Sequence, residues 1–199
     1  MFQSIDGTFA FYHVPKTGGL SIGAALIPFL KLNPRGLVKP SEPSRVYHWH
    51  GLHTAATVAS GTRKRCAFVR NPWHRALSRW RWYRNPGESF LSFWRRMPNG
   101  PVLGPEPHER SMNIVKPMLY YCNPRFDFIG RFENLASDFV RMCEFVGIDP
   151  PSLPHENRQL SSGPVLGPDW RSLYDVESRE VIADRYAADI DAFNYTFEE

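Results

Sequence analysis

Residues 13–21 read HVPKTGGLS and decide the fold, because they join an apolar, aromatic segment to a helix-like run. Residues 8–14 predict a β-strand that stops at Pro15, and residues 20–32 carry apolar side chains at helical spacing. The first backbone N–H groups of a helix lack intrahelical partners, and the helix dipole adds partial positive charge there. The segment therefore predicts a strand, a loop and a helix that together bind an anion.

The side chains of this loop suit the same chemistry. Gly18 and Gly19 let the backbone approach a ligand closely, and Lys16, Thr17 and Ser21 can reach the oxygens of an anion. The nucleotide triphosphatase loop GxxxxGK[ST] has its lysine after the last glycine, followed by a hydroxyl residue that holds magnesium. Here the lysine comes first, so the loop differs from that motif.

A second strand, turn and helix begin at Lys64. Residues 65–70 read RCAFVR and predict a strand, and residues 73–83 have helical spacing after an Asn-Pro turn. This arrangement places Arg70 at the tip of the strand and Ser78 two turns into the helix. Because the carboxyl ends of parallel strands gather at one edge of a sheet, we expect the Arg70 loop and the Lys16 loop to face one crevice.

The remaining elements alternate in the same way. Further strands are predicted at residues 45–50 and 126–131, the first followed by an alanine-rich segment at 52–59. Further helices are predicted at residues 88–96, 110–121, 134–146 and 176–193, and surface loops at 98–107 and 149–169. Strands that alternate with helices indicate an α/β fold with a parallel sheet flanked by helices on both faces.

Length and composition limit the organisation of the chain. The 199 residues, 42% of them hydrophobic, suffice for one domain with its own core, so we expect a single domain over residues 1–199. No secretory signal and no apolar run of membrane-spanning length is present, which predicts a soluble, cytoplasmic protein without stable membrane insertion.

The charged residues favour a small anionic ligand. The net charge is +4, and arginine, which suits bidentate contacts with phosphate or sulfate, far outnumbers lysine. No basic arm, zinc-finger spacing or RNA-binding motif supports a nucleic-acid partner. Cys66, Cys122 and Cys143 are widely spaced and predict buried free thiols rather than disulfides or a zinc site. No acidic cluster adjoins the loop, so no metal is expected.

Two motifs together resemble one family. HVPKTGGLS is similar to the 5′-phosphosulfate loop of sulfotransferases that use 3′-phosphoadenosine 5′-phosphosulfate (PAPS), and VRNPWHRALS at residues 69–78 is similar to their 3′-phosphate motif, RxPxxRxxS. The resemblance continues through IGRFENL at 129–135 and AADIDAFNYTF at 187–197. It is strongest to the carbohydrate branch, which includes the uronyl and heparan 2-O-sulfotransferases. Leu20 departs from it, because the family often has threonine there, and the membrane anchor of Golgi members is missing, which suggests a bacterial-type soluble relative.

The resemblance implies a P-loop-like sulfotransferase fold and a role for each matching residue. Lys16 would contact the bridging oxygen between phosphate and sulfate, and residues 17–21 would hold the 5′-phosphate. Arg70 and Ser78 would hold the 3′-phosphate. The implied reaction moves the sulfuryl group from PAPS to an acceptor hydroxyl, with a carbohydrate as the first choice, and leaves 3′-phosphoadenosine 5′-phosphate (PAP).

The acceptor hydroxyl needs a base, and a histidine suits this role near neutral pH. Residues 47–51 read YHWHG and resemble the HGH-type segment that carries the base in the 2-O-sulfotransferases, with Trp49 in the glycine position. The order of the motif favours His50 over His48, and His53 and His108 remain alternatives.

Five other residues have a predicted role or are predicted to have none. Glu133 is predicted to cap a helix or orient Arg131, Arg158 to reach the donor or an anionic acceptor, and His13 to be structural, under the loop. His74 and His155 are predicted to have no catalytic role.

Two other functions fit the same pattern less well. A nucleotide kinase or other P-loop phosphotransferase shares the architecture but would have GK[ST] and a magnesium carboxylate. A catalytically inactive nucleotide-binding module would keep the two loops without turnover.

Overall fold

The structure of the chain, a computed structural model, describes residues 2–30, 64–97, 116–154 and 169–198. The described strands are β1 (Phe2–Gln3), β2 (Phe9–Tyr12), β3 (Lys64–Val69) and β4 (Phe128–Arg131). The described α-helices are α1 (Gly19–Leu26), α2 (Pro72–Tyr83), α3 (Phe90–Arg96), α4 (Leu135–Val146), α5 (Val176–Arg185) and α6 (Ala187–Phe193). Short 3₁₀ segments lie at Ile27–Phe29, Met118–Tyr120, Phe132–Asn134 and Trp170–Leu173.

The described strands form one sheet in the order β1-β2-β3-β4. β2, β3 and β4 run parallel, with Tyr12 opposite Ala67 and Val69 opposite Arg131. β1 is antiparallel to β2. The predicted α/β class with a parallel sheet flanked by helices is confirmed, and β1 is an addition that the sequence pattern did not indicate.

Both faces of the sheet are covered, which explains why its strands read as continuous apolar runs. On one face, side chains of β2 and β3 pack against α1 and α4. The buried residues of this cluster are Phe9, Phe11, Ile22, Ala25, Leu26, Leu30, Cys66, Phe68, Phe139, Met142, Cys143 and Val146. On the other face the alternate side chains pack against the segment around Met118 and the end of α6. The buried residues of this cluster are Ala10, Tyr12, Val14, Ala67, Val69, Met118, Tyr121, Cys122, Phe126, Phe193 and Tyr195.

A third apolar cluster fixes α2, the helix that follows the second loop. Trp73, Leu77, Trp94, Ile182 and Tyr186 are buried in it, so α2 packs against α3 and α5. The aromatic side chains of this cluster hold α2 against α3 and α5. This packing fixes the position of α2, and therefore of Arg75, which contacts the first loop.

Several predicted elements have different bounds. The predicted helix at 176–193 is interrupted at Tyr186, so it forms α5 and α6. The prediction of helix over 110–121 is wrong for its described part, where Pro117 precedes only a 3₁₀ turn, because proline removes a backbone donor and restricts the preceding residue. Ser89 caps α3 by accepting from the N–H of Ser92, which starts that helix at Phe90. Predictions for 45–50, 52–59, 98–107 and 155–168 lie outside the described residues.

The three cysteines are free and buried, as the sequence predicts. Burial raises the pKa of the Cys66 and Cys122 thiols to about 12, so both stay protonated at neutral pH. Within the described ranges, no helix is long and apolar enough to cross a membrane.

Candidate anion-binding site

The first loop turns directly from β2 into α1. Gly18 is the N-cap of α1 and has a φ of 78°, in the left-handed region that glycine adopts at little cost. It provides no side chain to cap the helix, and its carbonyl accepts from the N–H of Ile22. The N–H groups of Gly19 and Leu20 belong to the first helical turn, in which backbone donors have no intrahelical acceptor.

Close packing explains why residue 19 is a glycine. A Cβ atom on Gly19 would lie 2.1 Å from Cδ2 of His13, so the imidazole ring occupies the space of the missing side chain. A Cβ atom on Gly18 would lie 2.9 Å from a methyl group of Leu135. His13 thus lies against the loop, as predicted, and supports its backbone. The loop is clamped between the imidazole and the start of α4.

The hydroxyl residues of the loop are buried. Thr17 is fully buried, and its hydroxyl donates to the carbonyl of Val14 over 2.8 Å. This bond closes the turn and occupies the hydroxyl proton, which leaves Thr17 its backbone N–H for an anion. Ser21 is 7% exposed and lies in the first turn of α1.

Lys16 has an unusual backbone and an unusual environment. Its φ is 72°, a left-handed conformation that costs a residue with a Cβ atom about 1–2 kcal/mol. Its ammonium nitrogen lies 4.4 Å from the centroid of the Trp82 ring, a cation–π contact. Burial, with smaller contributions from Arg70, Arg79 and Arg81, lowers the pKa of Lys16 from 10.5 to about 7.

Arg70 brings the second loop into contact with the first. It follows the last residue of β3, and its Nη1 donates to the carbonyl oxygen of Lys16 over 3.1 Å. The guanidinium carbon lies 3.9 Å from the centroid of the Phe132 ring. Burial lowers the pKa of Arg70 to about 9, so it remains charged at neutral pH, and its buried Nε has no hydrogen-bond partner in the described structure.

Asn71 fixes the start of α2. Its side-chain oxygen accepts from the N–H groups of Trp73 and His74, and its amide nitrogen donates to the carbonyl of Thr196 over 2.8 Å. Its backbone N–H donates to Oε1 of Glu133 over 2.8 Å. The sequence predicted Asn71 in the turn before α2 but did not reveal its contacts with Thr196 and Glu133, because these partners are far away along the chain.

Glu133 thus accepts from the N-cap residue of α2. Its second oxygen accepts from the Tyr195 hydroxyl over 3.1 Å, so the carboxylate joins the Arg70 loop to the carboxy-terminal segment. Arg131 donates instead to the carbonyl of Phe193 over 2.9 Å.

Arg75, one turn into α2, ties the first loop to the rest of the fold. Its Nε donates to the carbonyl of Pro15 over 3.1 Å, and its Nη2 donates to the carbonyl of Lys116 over 2.9 Å. Its Nη1 lies 3.8 Å from Oδ2 of Asp189, an ion pair without a hydrogen bond. The motif RxPxxRxxS contains Arg75, but the sequence did not reveal this supporting role.

Ser78 and Arg79 follow on the same helix. Residues three and four positions after Arg75 share its side of the helix, which faces the first loop. Ser78 is half-buried and Arg79 is fully buried. The structure thus brings Arg70 into contact with Lys16 at the carboxyl edge of the sheet, and Ser78 lies on the side of α2 that bears Arg75.

His74 lies near Arg70 but is poorly suited to proton transfer. Its ring stacks on Trp170 with 5.0 Å between centroids, and burial with the charge of Arg70 lowers its pKa to about 2. It is therefore neutral at all ordinary pH values. The other histidines singled out by the sequence, His48, His50, His53, His108 and His155, lie outside the described residues, as does Arg158.

The fold and the site define a class of protein first: an α/β protein with two strand-to-helix loops in contact at the carboxyl ends of adjacent parallel strands. Over residues 2–196 the chain matches the family described as "Sulfotransferase family". The chain therefore belongs to the sulfotransferase family. Comparison with curated proteins and with solved structures found no match.

Proposed function

We propose that this protein transfers the sulfuryl group of PAPS to an acceptor hydroxyl, and that the acceptor is a carbohydrate. The observation that carries the proposal is the contact between the two loops, in which Arg70 donates to the Lys16 carbonyl. Family membership supports sulfuryl transfer in general. The resemblance of the motifs to the carbohydrate branch supports the choice of acceptor.

The described residues fit a donor with a phosphate at each end. The N–H groups of Gly19 and Leu20, in the first turn of α1, and the close approach allowed by Gly19 suit the 5′-phosphate. Arg70, with an unpaired and buried Nε, and Ser78 suit the 3′-phosphate. Arg70 also fixes the Lys16 backbone, so the residues proposed for the 3′-phosphate and for the 5′-phosphosulfate keep a fixed distance from each other.

The reaction is an in-line displacement at sulfur. The bond between sulfur and the bridging phosphate oxygen breaks, and a bond between sulfur and the acceptor oxygen forms. Negative charge develops on the leaving phosphate, and Lys16 is positioned to stabilise it when protonated. The phosphate leaves on PAP, and the proton of the acceptor hydroxyl passes to a base.

We assign the base to His50, with His48 as the alternative. The support is the resemblance of residues 47–51 to the segment that carries the base in 2-O-sulfotransferases. A positioned general base contributes roughly 10²- to 10⁴-fold to the rate. Replacing each histidine by alanine and measuring turnover at saturating donor separates the two candidates.

The first experiment is calorimetric titration of the wild type and Arg70→Ala with PAP, and in parallel with ATP and magnesium. We expect metal-independent binding of PAP that Arg70→Ala weakens by roughly tenfold or more, since a charge-assisted contact is lost. The exposed Arg125 is the matched control, and Arg125→Ala should bind PAP like the wild type.

Two outcomes would contradict the proposal. Preference for magnesium ATP over PAP would favour a P-loop phosphotransferase. Binding of PAP without release of PAP from PAPS, across a panel of carbohydrate acceptors, would favour an inactive binding module.

A further inference from the structure

Arg79 is a buried charge for which the described structure provides no partner. It lies on α2, one turn after Arg75, and its side chain is 0% exposed. Its three guanidinium nitrogens, Nε, Nη1 and Nη2, have no hydrogen-bond partner in the described ranges. A buried guanidinium without partners is strongly unfavourable, so a ligand that accepts from it would relieve the cost.

The surroundings of Arg79 do not neutralise it. Burial lowers the pKa of Arg79 to about 10, with a further contribution from Arg75, so it stays charged at neutral pH. The buried carboxylate of Asp189 lies 3.8 Å from Arg75 and accepts from the backbone N–H groups of Met118 and Leu119. Its oxygens are thus already engaged, and the crevice keeps an excess of positive charge.

Geometry and charge both place Arg79 near the first loop. Arg75 donates to the Pro15 carbonyl, and Arg79 follows one turn later on the same side of α2. The charges of Arg70 and Arg79 both lower the pKa of Lys16, so both guanidinium groups lie within electrostatic range of its ammonium. Along α2 the two arginines are far apart, because Arg70 precedes the helix and Arg79 lies about 10 Å along its axis. Lys16 is therefore flanked by Arg70 toward the start of α2 and by Arg79 farther along it.

We propose that Arg79 binds the sulfuryl oxygens of the donor, on the side of Lys16 opposite the 3′-phosphate. This inference rests on the proposed function, in which Arg70 holds the 3′-phosphate and Lys16 contacts the bridging oxygen. The donor carries roughly four negative charges at neutral pH, which complements the excess of positive charge. The planar fork of the guanidinium suits two oxygens of a sulfonate, and its hydrogen bonds strengthen as the group transfers.

The test compares PAPS, which carries the sulfuryl group, with PAP, which lacks it. Calorimetric titration without acceptor is made on the wild type, Arg79→Met and Arg79→Lys. Arg79→Met should weaken PAPS binding roughly ten- to hundredfold and PAP binding by less than about threefold. Arg79→Lys keeps the charge but not the fork, so it should recover only part of the PAPS affinity.

Arg81 provides the matched control. It is partly exposed, only one of its nitrogens, Nη2, is buried without a partner, and its charge also lowers the pKa of Lys16. Arg81→Met therefore removes a nearby charge and keeps the fully buried guanidinium of Arg79. Arg81→Met should change PAPS and PAP affinity by the same small factor. Thermal unfolding separates a ligand-binding role from a structural one. Arg79→Met should raise the Tm of the unliganded protein, because an unpaired buried charge is lost.

The possible outcomes distinguish a failure of the proposed function from a failure of the role of Arg79. A wild type that binds neither PAP nor PAPS contradicts the proposed function itself. A wild type that binds both, with Arg79→Met unchanged toward PAPS, overturns only the role of Arg79 and indicates that bound water satisfies the guanidinium. If Arg79→Met leaves PAP and PAPS affinity unchanged and raises only the KM for acidic acceptors, Arg79 binds the acceptor. This result also overturns the inference. If Arg79→Met lowers the Tm and weakens PAP and PAPS binding equally, Arg79 has a structural role and the inference is overturned.

Discussion

Lys16 combines a left-handed backbone with a side chain that rests on Trp82. The left-handed backbone is costly for a lysine, whereas the cation–π contact is favourable, and neither feature is needed for the sheet. They hold the ammonium at the crevice before any ligand arrives, which is how strained residues commonly serve a site. The sequence could indicate that Lys16 faces an anion. It could not indicate the contact with Trp82, because that contact depends on how α2 packs.

The first prediction concerns the proton on Lys16. Its pKa of about 7 means that a large fraction is neutral at pH 8, and a bound anion raises the pKa again. Binding of PAP at pH 8 should therefore take up a proton, and affinity should fall as the pH rises from 7 to 9. Calorimetry in buffers of different ionisation enthalpy measures this uptake, which should vanish in Lys16→Met.

Stability should show the opposite dependence in the unliganded protein. The pKa of Lys16 lies below its ordinary value of 10.5, so the unfolded chain binds more protons between about pH 7 and 10.5. The contribution of Lys16 to stability therefore rises with pH across this window. An identical pH dependence in Lys16→Met would show that the lysine is not buried as described.

Among elements, the turn from β2 into α1 shows what a motif can and cannot indicate. The glycines, the lysine and the flanking strand and helix were sufficient to predict an anion-binding loop. The reason for Gly19 was not visible, because the His13 ring that fills its side-chain space comes from the end of the preceding strand. Local patterns predict such a turn, whereas packing across it requires coordinates.

The second prediction follows from this packing. In Gly19→Ala the new Cβ would lie 2.1 Å from His13, so the loop must shift and lose its alignment with the anion. PAP affinity should fall by roughly tenfold or more, measured by calorimetry. The double variant Gly19→Ala with His13→Ala should recover part of that affinity.

Gly87→Ala is the control for the same substitution elsewhere. Gly87 has a φ of 77° but open space around it, so alanine there brings backbone strain without a clash. Its PAP affinity should equal that of the wild type. Failure of the double variant to bind better than Gly19→Ala would rule out the ring of His13 as the cause.

The carboxy-terminal helices show that hydrophobic periodicity does not predict where a helix is interrupted. Residues 176–193 carry apolar side chains at helical spacing, and the pattern continues through the break at Tyr186. Tyr186 is buried in the third apolar cluster, against α2, and α5 ends there. No proline or glycine marks this break in the sequence. β1 was not predicted because a strand of two residues is too short to show an alternation of apolar and polar side chains.

At the scale of the whole molecule, one buried ion pair connects distant parts of the chain. Asp189 on α6 accepts from the backbone of Met118 and Leu119 and faces Arg75, which in turn donates to the Pro15 carbonyl. The first loop, α2, the 3₁₀ turn and α6 are thus held by two side chains. Sequence analysis found the loops but not this link, because its members are scattered along the chain.

The third prediction tests that link. Asp189→Ala leaves the charge of Arg75 and two backbone donors buried without an acceptor, which should lower the free energy of unfolding by about 3–5 kcal/mol. Denaturant unfolding measures the loss. The exposed Asp191, on the same helix, is the control, and Asp191→Ala should change stability by less than about 0.5 kcal/mol. Equal effects at both positions would remove the special role of the buried pair.

The carboxy-terminal segment has a consequence for how the protein is made. Asn71 donates to the carbonyl of Thr196, and Glu133 accepts from Tyr195, so the second loop is held by residues that the ribosome adds more than a hundred positions after Asn71. While those residues are still inside the exit tunnel, Arg70 can already contact Lys16, but these two contacts cannot form. We therefore expect the full set of contacts around the second loop to form late in biosynthesis, after residue 196 has emerged.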